Sequence, residues 1–132
     1  MKKGLIFMLI ISLSLFGFCA CGGENKTPTP QYEQISPEKA KELMDTEKDY
    51  VILDARTQEE FNEGHIEGAI MIPEYEVSNR AEQELPDKDQ LILVYCRSGR
   101  RSKIAAQALA DLGYTNVKEF GGIIDWPYEI VK

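Results

Sequence analysis

Cys96 opens a short basic loop whose side chains could hold a thiolate and a small anion together. The residues that follow it and could contact such an anion are Arg97, Ser98, Gly99, Arg100, Arg101 and Ser102. The thiolate is the nucleophilic form of cysteine, and nearby positive charge stabilises it. Arginine guanidinium groups also bind oxyanions through paired N–H donors. The loop therefore predicts nucleophilic chemistry at the Cys96 sulfur, acting on an anionic substrate.

A buried strand and an amphipathic helix are expected to position this loop. Residues 91–95 read LILVY, a short apolar run that is typical of a buried parallel strand. Residues 102–112 carry apolar side chains at helical spacing, and Gly113 follows them as a stop signal. Because a helix N-terminus presents unpaired backbone N–H groups, this strand–loop–helix turn would stabilise both a thiolate and a bound anion.

The rest of the chain alternates strands with helices. Further strands are predicted at residues 32–35, 50–53, 69–72 and 117–120. Further helices are predicted at residues 37–44, 57–64, 77–85 and 123–126. This alternation predicts an α/β fold, a parallel sheet with helices on both faces. Ligands in such folds bind beyond the carboxyl ends of the strands, where Asp54 and Cys96 are both expected.

Length and composition limit the chain to one domain with few classes of partner. It has 132 residues and a net charge of −7, with 22 acidic and 15 basic residues, so nucleic acid is not an expected partner. The basic loop is a local exception that favours a small anionic ligand. No Cys/His cluster and no glycine-rich nucleotide loop is evident, so we expect no metal and no cofactor. We also expect a monomer.

The N-terminus resembles a bacterial lipoprotein signal. Two lysines precede an apolar run, and Ala20 precedes Cys21, which is the predicted lipidation site. Bulky Phe18 precedes Cys19, which therefore fits this pattern less well. An uncleaved membrane anchor and an ordinary secretory signal remain alternatives.

This reading divides the chain into a signal peptide over residues 1–20, a flexible tether over 21–31 and a folded domain over 32–132. It predicts a protein held by a lipid on the extracytoplasmic face of a bacterial membrane.

Several segments together resemble the rhodanese family. They are residues 53–56 (LDAR), 59–61 (EEF), 64–69 (GHIEGA), 72–73 (IP), the loop that begins at Cys96, and Gly121–Gly122 with Trp126. The resemblance implies a five-stranded parallel sheet and, in catalytic members, sulfur transfer through a cysteine persulfide. It implies a small anionic sulfur donor such as thiosulfate, which the loop would bind, and a thiol or cyanide acceptor.

Supporting roles are expected for residues outside the loop. Asp54 is expected to orient the rim of the site, and Arg56 to form an ion pair with Glu60 at i, i+4. The resemblance places His65 in a structural turn, and Trp126 is expected to be a packing residue near the site entrance. Ser102 would either bond the anion or the sulfur, or cap the helix; the role of Arg101 is open.

Two other functions fit parts of the pattern. Cysteine phosphatases and arsenate reductases need an arginine six residues after the cysteine, as a bidentate clamp, and here that position is Ser102. Many rhodanese-like domains are non-catalytic binding or sensing modules that often lack the cysteine. This chain keeps the cysteine and a basic loop, although thiol redox or sulfur sensing remains an alternative role.

Overall fold

The computed structural model describes Thr29 and residues 31–132. Its strands are β1 (Glu33–Gln34), β2 (Tyr50–Asp54), β3 (Ile70–Met71), β4 (Leu91–Cys96) and β5 (Val117–Gly122). Its helices are α1 (Pro37–Thr46), α2 (Gln58–Glu63), α3 (Val77–Glu84) and α4 (Arg100–Asp111), with short 3₁₀ helices at Glu74–Glu76 and Ile123–Asp125. All strands are parallel, in the order β1-β5-β4-β2-β3. The predicted five-stranded parallel sheet is confirmed.

Strand β4 lies at the centre of the sheet and is buried on both faces. Its side chains alternate between two apolar clusters, as successive strand residues must. Ile92 and Val94 pack with residues of α3 and α4 on one face. Leu93 and Tyr95 pack with residues of α1 on the other. The helices therefore cover both faces of the sheet, as predicted. Cys96 ends a strand that pairs with β2 and β5 at its edges and packs against helices on both faces.

Local capping signals define where the helices begin. The Ser36 side chain accepts a hydrogen bond from the Lys39 N–H at 3.1 Å, which caps α1. Thr57 and Glu60 form a capping box at the start of α2. Helix α4 begins two residues earlier than predicted, directly after Gly99, whose φ of 104° lies in the left-handed region. Ser102 therefore lies inside the first turn, and its alternative role as the helix cap is wrong.

The N-terminal predictions fall on residues outside this description. The structure does not describe the predicted signal peptide or Cys21. Of the predicted tether it describes only Thr29 and Gln31. Within the described part of the chain, no helix is long and apolar enough to cross a membrane.

Candidate active site

The Cys96 sulfur lies at the carboxyl end of β4 and is held by the loop that follows. Cys96 is 1% exposed. The Gly99 backbone N–H donates a hydrogen bond to Sγ at 3.0 Å, and the Ser102 Oγ lies 3.3 Å from the same sulfur. The loop thus folds back on its own cysteine, with Sγ at the N-terminus of α4. The free N–H groups of that first helical turn favour negative charge at this point.

The three arginines of the loop have different surroundings. Arg97 and Arg100 are exposed and can meet a ligand from solvent. Arg101 instead makes a bidentate ion pair with Glu60, with nitrogen–oxygen distances of 2.6 and 2.8 Å. This hydrogen-bonded pairing with Arg101 lowers the pKa of Glu60 to about 2. An anionic substrate would have to compete with Glu60 for Arg101, whereas Arg97 and Arg100 are available.

The end of β5 lies directly behind the loop. Val94 pairs with Glu119 and Cys96 pairs with Gly122, so β5 has one extra residue in this interval, a β-bulge. The bulge brings Gly122 so close to the loop that an added Cβ would lie 1.9 Å from the Arg97 carbonyl oxygen. The absence of a side chain at Gly122 is therefore a condition for the observed loop conformation.

Glu119, three residues before Gly122 on β5, is a buried carboxylate that the sequence analysis did not identify. It is 2% exposed, and its Oε1 accepts hydrogen bonds from the Ser102 hydroxyl and the Gly121 N–H, both at 2.7 Å. The available signal was period-two alternation: Glu119 stands two residues after Val117 and so shares its buried face. A carboxylate on the core face of a buried strand is a local conflict that marks a functional or strained position.

Asp54 and Arg56 form a buried network on the neighbouring strand. Arg56 binds the Asp54 carboxylate through Nε and Nη2 and also donates to the Gly64 carbonyl at 2.7 Å. The Tyr95 hydroxyl donates to Asp54 at 2.7 Å and accepts from the Ile66 N–H at 3.1 Å. Burial, followed by the charge of Asp54, raises the pKa of Tyr95 well above its usual range.

This network positions the rim of the site, because the Asp54 carboxylate is already occupied by Arg56 and Tyr95. The predicted ion pair between Arg56 and Glu60 is wrong. Arg56 precedes α2 rather than lying on it, so the i, i+4 spacing of a helix does not apply to this pair.

His65 and Trp126 both have packing roles. The His65 ring stacks on Phe61 with centroids 3.7 Å apart, and its Nδ1 lies 2.8 Å from the Phe61 carbonyl oxygen. Its backbone pairs with Val131 in both directions. Trp126 packs against Phe120 in the cluster beneath α1. The described residues contain no group of His, Cys, Asp or Glu side chains that could hold a metal ion.

The chain matches a known protein family over a range that includes the whole Cys96 loop. The model of the family described as Rhodanese-like domain matches residues 36–127. The chain is 41% identical over 80 residues to Thiosulfate sulfurtransferase PspE of Escherichia coli, covering 61% of this chain and 77% of that protein. It is 35% identical over 96 residues to Thiosulfate sulfurtransferase GlpE of Coxiella burnetii, covering 72% and 87%. A solved rhodanese with anions from E. coli aligns at a TM-score of 0.59 and 38% identity, covering 63% of this chain and 98% of that one.

Proposed function

Because the chain belongs to the rhodanese-like domain family, we propose that it is a sulfurtransferase that works through a persulfide on Cys96. It moves sulfane sulfur from thiosulfate or a similar donor to a thiol or cyanide. The observation that carries this proposal is the position of Sγ, 3.0 Å from the Gly99 N–H at the N-terminus of α4. The relatives named thiosulfate sulfurtransferase support a transferase with this type of donor.

The first half-reaction transfers sulfur to the protein. The Cys96 thiolate attacks the outer sulfur of thiosulfate, a new S–S bond forms, and the bond to the sulfonate breaks. Sulfite leaves with the electron pair, and the protein keeps Cys96–S–S⁻. The Gly99 N–H already contacts Sγ, where the developing negative charge lies at the N-terminus of α4, and such preorganised donors stabilise it without reorganisation.

The second half-reaction returns the thiolate. Cyanide or an acceptor thiolate attacks the outer sulfur of the persulfide, the inner S–S bond breaks, and Cys96 leaves as a thiolate. Thiocyanate or an acceptor persulfide departs. Each half-reaction conserves charge and needs no further oxidant or reductant.

The direct test is the intact mass of the purified protein after incubation with thiosulfate. We expect a gain of one sulfur atom on Cys96, removed again by cyanide with formation of thiocyanate. Cys96→Ser should show neither, because a serine hydroxyl is far less ionised and forms no persulfide. No gain of sulfur in the wild-type protein would contradict the proposal and favour a binding or sensing module.

An aryl phosphate in a parallel assay separates this function from phosphate chemistry. The sixth residue after Cys96 is Ser102, whose hydroxyl is bound to Glu119, so a phosphoryl group would meet no bidentate arginine there. We expect no hydrolysis. Turnover of the aryl phosphate without turnover of thiosulfate would overturn the assignment.

Arg97 and Arg100 are proposed to bind the donor. Both are exposed, so truncation should change stability by less than about 0.5 kcal/mol. Arg97→Ala and Arg100→Ala should each raise the KM for thiosulfate. Lys48→Ala is the matched control, because it removes the same charge from an exposed position before β2, at the opposite end of the sheet. If all three variants had the same KM for thiosulfate, the two arginines would be ordinary surface charges that do not bind the donor.

We further propose that Cys21 carries a lipid that holds the domain at the extracytoplasmic face of a bacterial membrane. The support is sequence alone, with Ala20 before this cysteine and a polar tether after it. In a bacterium that processes lipoproteins, Cys21→Ser should leave the detergent phase while Cys19→Ser stays in it. The reverse would identify Cys19 as the lipidated residue. Retention of both variants would favour an uncleaved anchor.

A further inference from the structure

Glu119 is a buried carboxylate that contacts the Cys96 loop and that the proposed sulfur transfer does not yet use. It lies on the face of β5 that packs against α4, and it is 2% exposed. A buried ionised carboxylate is costly unless it is hydrogen-bonded, and Glu119 has two donors, the Ser102 hydroxyl and the Gly121 N–H. The first of these donors also contacts the Cys96 sulfur.

The Ser102 hydroxyl joins the carboxylate to the thiol. It has one hydrogen and four oxygen or sulfur neighbours. Glu119 Oε1 lies at 2.7 Å, the Gly99 carbonyl at 3.1 Å, and the Gly121 carbonyl and Cys96 Sγ at 3.3 Å. The shortest contact is also the one to a carboxylate, so Ser102 donates its hydrogen to Glu119. Its oxygen lone pairs are then directed to accept the thiol hydrogen of Cys96.

We propose that Glu119 accepts the thiol proton of Cys96 through Ser102, an inference that rests on the proposed sulfur transfer. The thiol proton passes to Ser102 Oγ while the hydroxyl proton of Ser102 passes to Glu119 Oε1. One S–H bond and one O–H bond break, and two O–H bonds form. The products are a Cys96 thiolate that accepts a hydrogen bond from Ser102, and a neutral Glu119 that donates one to Ser102.

This transfer keeps a single negative charge in the buried pocket. Before it the charge is on Glu119, and after it the charge is on the sulfur. Two buried anions that contact the same hydroxyl would repel, and such pairs hold one proton between them. The proton remains on Glu119 while Cys96 carries the persulfide, and it returns when the acceptor releases the thiolate.

Other charged groups near Glu119 come from the elements packed around it. Lys103 of α4 and Asp125 of the second 3₁₀ helix line a cavity of about 270 Å³ together with Glu119. The charge of Arg101 acts on Cys96 from α4. Since Lys103 and Asp125 are both exposed, water screens their effect more than it screens that of the buried pair.

The test is the rate at which iodoacetamide alkylates Cys96 between about pH 5 and pH 9, followed on the peptide that contains this residue. If Cys96 and Glu119 share one proton, the fraction of thiolate is constant while that proton is held. The wild-type rate should therefore show a plateau. In Glu119→Gln the thiol proton can leave only to solvent, so the rate should rise about tenfold per pH unit below its midpoint.

At pH 6 we expect Glu119→Gln to react at least about tenfold more slowly than the wild type, with the difference lost at alkaline pH. Glu47→Gln, an exposed position at the end of α1, should keep the plateau. Ser102→Ala keeps the carboxylate but removes the hydroxyl that would bond both the thiolate and the neutral Glu119, so it should lower the plateau. This second variant keeps the test informative if Glu119→Gln does not fold.

A plateau that survives in Glu119→Gln, or one of unchanged height in Ser102→Ala, would overturn the relay, as would its absence from the wild type. If Glu119→Gln lowered the alkylation rate by the same factor at every pH, Glu119 would have a structural role only. Restricted access to the buried sulfur lowers the rate at every pH and leaves the shape of the profile unchanged. Iodoacetamide needs no sulfur donor, so a wild type with a plateau but no sulfur gain from thiosulfate would refute only the sulfur transfer.

Discussion

Substitution of Gly122 by alanine tests how closely β5 must approach the Cys96 loop. Gly122 pairs with Cys96 in the sheet and has φ −125° and ψ 156°, which any residue adopts without strain. An added Cβ would lie 1.9 Å from the Arg97 carbonyl oxygen, 2.3 Å from the Arg97 carbonyl carbon and 2.6 Å from the Ser98 Cα. All three atoms belong to the backbone, so no side-chain rotation can relieve the overlap.

The distances set the size of the effect. A carbon atom and a carbonyl oxygen come no closer than about 3.3 Å in ordinary contact, so the loop and β5 must separate by more than about 1 Å. Overpacking of this kind costs about 1–3 kcal/mol of stability. The displaced loop includes the Gly99 N–H that bonds the Cys96 sulfur, and a displacement of about 1 Å at a reacting group can cost about 100-fold in rate.

Gly68→Ala is the matched control, since it makes the same chemical change without the overlap. Gly68 has φ 81° and no atom within 4 Å of the added Cβ, so alanine there costs about 1–2 kcal/mol through backbone strain alone. Urea unfolding and the rate of sulfur gain on Cys96 should be measured for both variants. We expect comparable destabilisation, with only Gly122→Ala losing about 100-fold in rate. A normal rate in Gly122→Ala, or an equal loss in both, would refute this reasoning.

Two further predictions concern the ion pairs and hydrogen bonds around the site. Tyr95→Phe leaves the buried Ile66 N–H without its acceptor and removes a hydrogen bond to Asp54, so urea unfolding should show a loss of about 2–3 kcal/mol. Glu60→Gln keeps the capping-box side chain but removes the charge that pairs with Arg101, which should cost about 1 kcal/mol at pH 7. The pKa of Glu60 is lowered in the folded state, so this stability is present above the unfolded value of 4.5 and is lost as pH falls towards about 2. The difference between the two proteins should therefore shrink by about half by pH 3, and a difference independent of pH would contradict the ion-pair account.

The strand, loop and helix around Cys96 could be predicted because local patterns determine them. A short continuous apolar run is typical of a buried strand, and the helical spacing of apolar residues after the loop fits one face of α4. The order of these elements with the other strands then requires a parallel sheet. These predictions needed no knowledge of distant contacts.

Contacts between distant residues explain what the sequence did not reveal. Glu60 pairs with Arg101, 41 residues away, instead of with its near neighbour Arg56. Glu119 contacts Ser102, which is 17 residues away, at the start of the β-bulge that alters the register between β4 and β5. A bulge is set by how two strands pair, and neither strand alone predicts it.

The end of β5 therefore affects the reactive sulfur in two ways that experiment can separate. Gly122 allows the loop to lie against the strand, and this contact determines where the Gly99 N–H meets the sulfur. Glu119 contributes charge through Ser102 without contacting the sulfur itself. A displaced loop should lower the alkylation rate of Cys96 at every pH, whereas a neutral residue at position 119 should change the shape of its pH dependence. If Gly122→Ala and Glu119→Gln gave the same profile, loop position and proton transfer would not be separate functions of this strand end.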